Sequence, residues 1–220
     1  MSFLCAKQPM KIAVLANQGL KEELKSKTLA APLEFSWHSS LRGLLEEKDA
    51  DVYFDMEFDG SPERTEALSR LLPRPVLINS VILTLAEIGF PFLRINGWPG
   101  FIKRPVVELA LADSAQQEGA RKIFSSLEWE YRIVPDTVGM IGARIIAMII
   151  NEAYYTYFEN ISTKEEIDTA MKLGTSYPQG PFEWGRLIGL SKIYELLFVL
   201  GKKDPRYTIC EALENEVHPK

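Results

Sequence analysis

The feature that most constrains this chain is a change of pattern near Pro135. Before it, short apolar runs alternate with helical patterns; after it, no run reads as a strand. "KIAVLA" (11–16), "LEFSW" (33–37), "DVYFDM" (51–56), "RPVLINS" (74–80), "FLRIN" (92–96) and "VVELAL" (106–111) read as strands, being short, apolar and bounded by turn residues. Between them, "LKEELKSKTLA" (20–30) carries charge at helical spacing, and in "SPERTEALSRLL" (61–72) Ser61 caps, Pro62 takes the first helical position and Glu63 lies in the first turn. "VILTLAEIG" reads as a short helix ending at Gly89. Repeated strand-then-helix units with apolar strands predict a mostly parallel sheet covered by helices.

From Met140 onward only helical patterns remain: "MIGARIIAMIINEAYYTYFEN", "TKEEIDTAMKLG" and "LIGLSKIYELLFVLGKK". Thr163 with Glu166 three residues on forms a capping box, and Gly174 is the expected C-cap. The expected organisation is an α/β half, 11–134, of shortened Rossmann-like type, followed by an all-α domain, 135–220. The proline- and glycine-rich "SYPQGPFEWGRLIGL" (176–190) then reads as a corner between helices, with Phe182 and Trp184 plugging the helical core.

Composition excludes several classes. A net charge of -5 without a basic cluster argues against a nucleic-acid partner. "RIIAMII" (144–150) is too short for the roughly 20 apolar residues of a membrane span. "MSFLCAKQPM" lacks the apolar core and cleavage site of a secretory signal. Cys5 and Cys210, at opposite ends, make neither a disulfide framework nor a metal-ligand spacing. A cytoplasmic protein with reduced thiols and no metal is expected.

Taken in order, Asp136, Gly139, Arg144, Asn151-Glu152-Ala153, Ile167-Asp168 and Gly180-Pro181-Phe182-Glu183 resemble the helical C-terminal domain of the 3-hydroxyacyl-CoA dehydrogenases. That family carries D-x-x-G-F-I-x-N-R, then N-E-A, I-D-x-A and a G-P-F/L-E turn. On these residues a structural reading competes with a chemical one. Asn151 and Glu152, in an apolar helix, read first as hydrogen-bond partners between helices.

The resemblance extends into the first half. "ADVYFDMEFDGSPERTEAL" aligns with the family segment A-D-x-V-I-E-A-V-x-E-x-x-x-x-K, which places Asp55 at its Glu and Arg64 at its cofactor-side Lys. "RPVLINSVILTLAEI" resembles S-N-T-S-S-L, so that Ser80 or Val81 takes the active-site serine position, depending on a one-residue shift. "VVELAL" resembles L-V-E-V-V and places Glu108 at the Glu that orients the catalytic His. In the family a His of G-x-H-F-F-N-P removes the hydroxyl proton while hydride leaves for the nicotinamide. Pro99 stands at that His and Ala143 at the assisting Asn; the chain's two histidines, His38 and His218, lie far from this position in sequence.

The cofactor fingerprint G-x-G-x-x-G is replaced by "LANQGL", with Gly19 alone, then Lys21, and the second strand ends in "FSWHSS" without a ribose-binding carboxylate. The α/β half falls about 60 residues short of a domain of usual size. Two expectations follow. One is a degenerate relative, with no cofactor, that keeps an acyl-CoA or other small-ligand cleft. The other is an active NAD-dependent dehydrogenase with Glu108 as its base. The helical half is expected to form a homodimer, because the helix containing "IIAMII" and "AYYTYF" has more apolar surface than so small a domain can cover; the alternative is that this helix is the central one of a self-contained bundle. A charged replacement of Ile146 or Ile150 is expected to dissociate or unfold that dimer, whereas the same change at Lys164, expected to be exposed, is not.

Overall fold

The computed structural model describes residues 9–27 and 33–219. It divides into two compact units: the described residues up to Gly97 with Phe101–Asp136, and Trp98–Gly100 with the residues from Thr137 on.

The first unit is a seven-stranded sheet, β1 (Met10–Leu15), β2 (Leu33–His38), β3 (Val52–Asp55), β4 (Val76–Asn79), β5 (Leu93–Ile95), β6 (Val106–Leu111) and β7 (Glu130–Ile133), in the order β2-β1-β3-β4-β5-β6-β7. Every pairing is parallel except β5 with β6. Helices α1 (Gln18–Ser26), α2 (Leu41–Glu46), α3 (Pro62–Ser69), α4 (Leu85–Ile88) and α5 (Gln117–Leu127) fill the connections. Successive strand residues point to opposite faces. One face, including Val14, Phe54, Leu77 and Leu109, packs under Leu20 and Leu24 of α1 and Ile123 and Phe124 of α5. Burial of each such side chain stabilises by about 1.5–3 kcal/mol.

Three elements of this unit, α2, α5 and β7, go beyond the sequence reading. Ala120, Ile123, Phe124 and Leu127 of α5 are all buried and recur at helical spacing. The "VILTLAEIG" segment is helical only over its second half, where Thr84 and Glu87 form a capping box and Gly89 closes the helix at φ 77.

The second unit contains α6 (Gly142–Phe158), α7 (Lys164–Thr175), α8 (Pro181–Ile188), α9 (Leu190–Gly201) and α10 (Glu211–Val217). The Thr163–Glu166 capping box forms as expected. Two expectations are corrected. Helix α7 runs through Gly174, and Ser176 takes the left-handed C-cap at φ 56. The segment 187–203 is two helices, broken at Gly189, whose φ of 99 and ψ of 120 leave the helical region.

The turn into α8 is built on close approach. A Cβ on Gly180 would lie 2.5 Å from the Asp168 Cα and 2.3 Å from its Oδ1. That Oδ1 accepts the Phe182 amide at 2.8 Å, Glu183 accepts the Gly180 amide at 2.9 Å, and Lys172 pairs with Glu183 at 2.5 Å. Phe182 and Trp184 are buried as expected, but inside α8. Asn151 bridges backbone, donating to the Thr208 carbonyl at 2.8 Å and accepting the Cys210 amide at 2.9 Å. Its neighbour Glu152 is exposed.

Candidate functional site

In an open parallel sheet, ligands bind beyond the carboxyl ends of the strands where the chain's course reverses direction across the sheet. Here the chain passes from β1 to β2 on one side and then to β3 on the other, so the reversal lies between β1 and β3. Only Ala16 and Asn17 separate β1 from α1, and the Asn17 side chain accepts the Leu20 amide at 3.0 Å. One of the free amides that makes a helix N-terminus a phosphate site is thereby occupied. A Cβ on Gly19 would meet nothing nearer than Asn17 Oδ1 at 3.5 Å, so no neighbouring protein group demands a glycine there. Lys21 lies over the Trp37 ring at 5.2 Å. At the end of β2 stand His38, whose Nε2 is 3.3 Å from Ser36 Oγ, then Ser39 and Ser40, the latter accepting the Gly43 amide. The residues of this edge do not fit a nicotinamide dinucleotide: they provide one glycine where three are needed and no carboxylate for the ribose.

Asp55 and Arg64, named from the sequence as cofactor-side residues, are brought together. Asp55 ends β3 with no exposed surface. Arg64, in the first turn of α3, donates Nε to Oδ2 and Nη2 to Oδ1, both at 2.6 Å. The Glu57 amide adds a third bond at 3.0 Å. Burial pushes the Asp55 carboxyl up from its ordinary value, and the two Arg64 bonds work against that shift.

Ser80 and Glu108 are connected through a residue that sequence reasoning missed. Arg94, on β5, has no exposed surface. Its Nε donates to the Ser80 carbonyl at 2.6 Å, Nη2 to the Val81 carbonyl at 3.0 Å, and Nη1 to Asp136 at 2.5 Å. Asp136 also accepts the Ala86 amide at 3.2 Å. The Ser80 hydroxyl donates to the Leu83 carbonyl at 2.9 Å. Arg94 is paired with Ala110 of β6, so Glu108, two residues away, shares its face of the sheet. Burial lowers the Arg94 pKa, while the charges of Asp136, Glu87 and Glu108 oppose the shift. A lone arginine inside the strand "FLRIN" was the available signal.

Nearby, Asn79 clamps two strand ends. Its Nδ2 donates to the carbonyls of Met56 and Gly97, each at 3.1 Å, and its Oδ1 accepts the Gly97 amide at 2.8 Å.

Pro99 belongs by its contacts to the helical unit, within Trp98–Gly100. Ala143 is a buried methyl on α6. His38 sits at the end of β2 and His218 follows α10, its ring 4.9 Å from Tyr194. Lys164, expected to be exposed, is half-buried. Its ammonium lies 5.0–5.3 Å from the rings of Tyr154, Tyr157 and Phe182 and pairs with Glu216 at 2.5 Å, leaving a quarter of the side chain, 25%, accessible. Among the described residues no cluster could hold a metal ion, and no helix is long and apolar enough to cross a membrane.

Residues 139–219 match the family model described as 3-hydroxyacyl-CoA dehydrogenase, C-terminal domain. The chain is 36% identical over 103 residues to the 3-hydroxybutyryl-CoA dehydrogenase of Bradyrhizobium diazoefficiens, covering 46% of this chain and 35% of that protein. It is 26% identical over 218 residues to the probable 3-hydroxybutyryl-CoA dehydrogenase of Bacillus subtilis, covering 92% of this chain and 74% of that protein. The chain thus spans about a third of the first relative's length and about three quarters of the second's. The crystal structure of (S)-3-hydroxybutyryl-CoA dehydrogenase PaaH1 from Ralstonia eutropha superposes with a TM-score of 0.71 at 18% identity, covering 95% of this chain and 93% of that one. That likeness establishes the shared fold.

Proposed function

We propose that this chain, whose helical unit belongs to the 3-hydroxyacyl-CoA dehydrogenase family and whose fold is that family's throughout, is a degenerate relative that binds an acyl-CoA or similar small ligand without hydride transfer. The observation that carries the reading is the β1–α1 connection, where two residues, the second of them the capping Asn17, stand in place of a glycine loop. Pro99 and Ala143 support it from the sequence: proline neither accepts nor donates a proton, and alanine supplies no polar partner.

In this reading the Asp55–Arg64 pair positions the β3–α3 turn beside the ligand edge, and Arg94 holds the Ser80 turn and Glu108 in one electrostatic group. The location is cytoplasmic, in keeping with two cysteines at opposite ends of the sequence. The chain works as a homodimer through its helical half.

The second reading, an active dehydrogenase with Glu108 as base, rests on Glu108 lying half-buried on the face it shares with Arg94. The test is NADH-linked reduction of acetoacetyl-CoA followed by absorbance. The first reading predicts turnover that is absent or at least about 10²-fold below that of relatives, the usual contribution of a positioned acid–base group. Pro99→His alone gives no rescue, because the phosphate loop is also missing. Turnover that Glu108→Gln abolishes supports the second reading.

A further inference from the structure

We propose that the first unit carries a separate site for a neutral, apolar molecule of about ten carbons, such as a two-ring hydrocarbon, at the amino ends of β4 and β5. A pocket of about 360 Å³ opens where the chain enters these two strands and meets the start of α5. Leu93 and Ala120, 4% and 1% exposed, form its floor, and Pro73, Pro75 and Pro91 stand around its mouth. Each proline ring fixes φ, so this frame is set before any ligand arrives. An apolar cavity of about 150 Å³ takes one benzene, and the pocket here has room for a second ring. It lies at the edge of the sheet opposite the carboxyl ends of the parallel strands β1, β3 and β4.

Gly119 speaks for an occupant. It lies in the first turn of α5 and lines the pocket, and a Cβ built on it would meet nothing within 4 Å. Its backbone does not take the left-handed region. Glycine in a helix is less favourable than alanine, so neither conformation nor packing calls for one here. The pocket does, because any side chain at 119 would take up part of its volume.

The polar groups on the lining decide the class of ligand. Gln116 is engaged at both ends, Nε2 donating to the Pro91 carbonyl at 2.6 Å and Oε1 accepting the Ala112 amide at 2.7 Å. The Pro75 carbonyl accepts the Tyr53 amide at 3.0 Å. Arg74 donates Nη1 to the Tyr53 hydroxyl at 2.9 Å. Tyr53 points to the face of the sheet opposite its neighbour Phe54, and Phe54 shares the α5-side core with Leu93. The guanidinium is thereby drawn away from the pocket. A charged ligand would lose its water here and find no partner, whereas a neutral apolar one only gains contacts.

The test is an amide-resolved NMR titration of the full chain with naphthalene, beside 2-naphthoate, which bears a carboxylate on the same rings. Saturable shifts are expected at Leu93, Gln116, Gly119 and Ala120, with a dissociation constant on the order of 0.1 mM. 2-Naphthoate is expected to bind at least about tenfold more weakly. Gly119→Ala is expected to fold, to melt at a higher temperature and to bind naphthalene about threefold more weakly. Gly119→Leu is expected to abolish binding with circular dichroism unchanged, and if it fails to fold the alanine variant decides alone. Wild-type protein without saturable shifts, or with shifts only elsewhere, overturns the site. Binding that the folded Gly119 variants leave unchanged overturns its location. 2-Naphthoate bound as tightly as naphthalene overturns the neutral class of ligand.

Discussion

Arg64 and Arg94 do related work by different means. Each guanidinium is planar and forked, so it can hold two acceptors at once. Arg64 uses its fork on the single buried carboxylate of Asp55, whereas Arg94 divides its donors between two carbonyls and Asp136. Removing a cation from a buried pair leaves the other charge uncompensated. Arg64→Ala is accordingly expected to lower stability at neutral pH by about 3–5 kcal/mol, read from urea unfolding. The pH dependence has a definite sign. Burial already raises the Asp55 carboxyl, and without Arg64 only the Glu57 amide is left to oppose that shift. A raised carboxyl favours the folded state most below its unfolded value of about 3.9, and that contribution is lost as pH rises through the folded value. The deficit of Arg64→Ala relative to wild type should therefore shrink on acidification. A deficit that is constant or grows toward acid contradicts the assignment.

At the scale of elements, legibility followed how local the cause was. Ser61 and Thr163 cap helices α3 and α7 through bonds to residues three positions on, a cause contained in a few adjacent letters; Thr84 caps α4 in the same way, although the sequence reading starts that helix at Val81. The break at Gly189 and the left-handed cap at Ser176 were misread, because a glycine at 174 was the more obvious helix stop and nothing local marks a serine for positive φ. Arg94 was legible only as an oddity, since its partners lie 13 to 42 positions away in sequence. Helix α5 carries a complete apolar stripe at local spacing, yet the sequence reading passes over it. The candidate site follows the same rule: Asp55, Arg64, Ser80 and Glu108 are named from the sequence and Arg94 is not, and the pairing of Asp55 with Arg64 and the tie of Ser80 to Arg94 are tertiary facts. Two glycines separate close approach from mere permissiveness. Gly180→Ala drives a methyl into Asp168 and is expected to cost on the order of 1–3 kcal/mol. Gly19→Ala, in the first turn of α1 with open space around it, is expected to stabilise by about 0.4–1 kcal/mol. Thermal unfolding of the two variants side by side reads both, and a destabilised Gly19→Ala contradicts the description of the β1–α1 connection.

For the whole molecule, scaffold and chemistry rest on different residues. The helical unit keeps the motif residues because they hold helices together: Asn151 ties α6 to the segment before α10, and Asp168, Gly180 and Glu183 shape the entry to α8. None of those roles requires a cofactor, so the family's architecture persists independently of the groups at the carboxyl edge of the sheet. At that edge lie the reversal point between β1 and β3, a capped helix and a strand end without a carboxylate, and in the proposed reading these are the reason no dinucleotide is held there. Calorimetric titration of the full chain with NAD tests this most directly. No saturable heat is expected at micromolar to submillimolar NAD, in a preparation whose fold is verified by circular dichroism. Stoichiometric binding with micromolar affinity would contradict it.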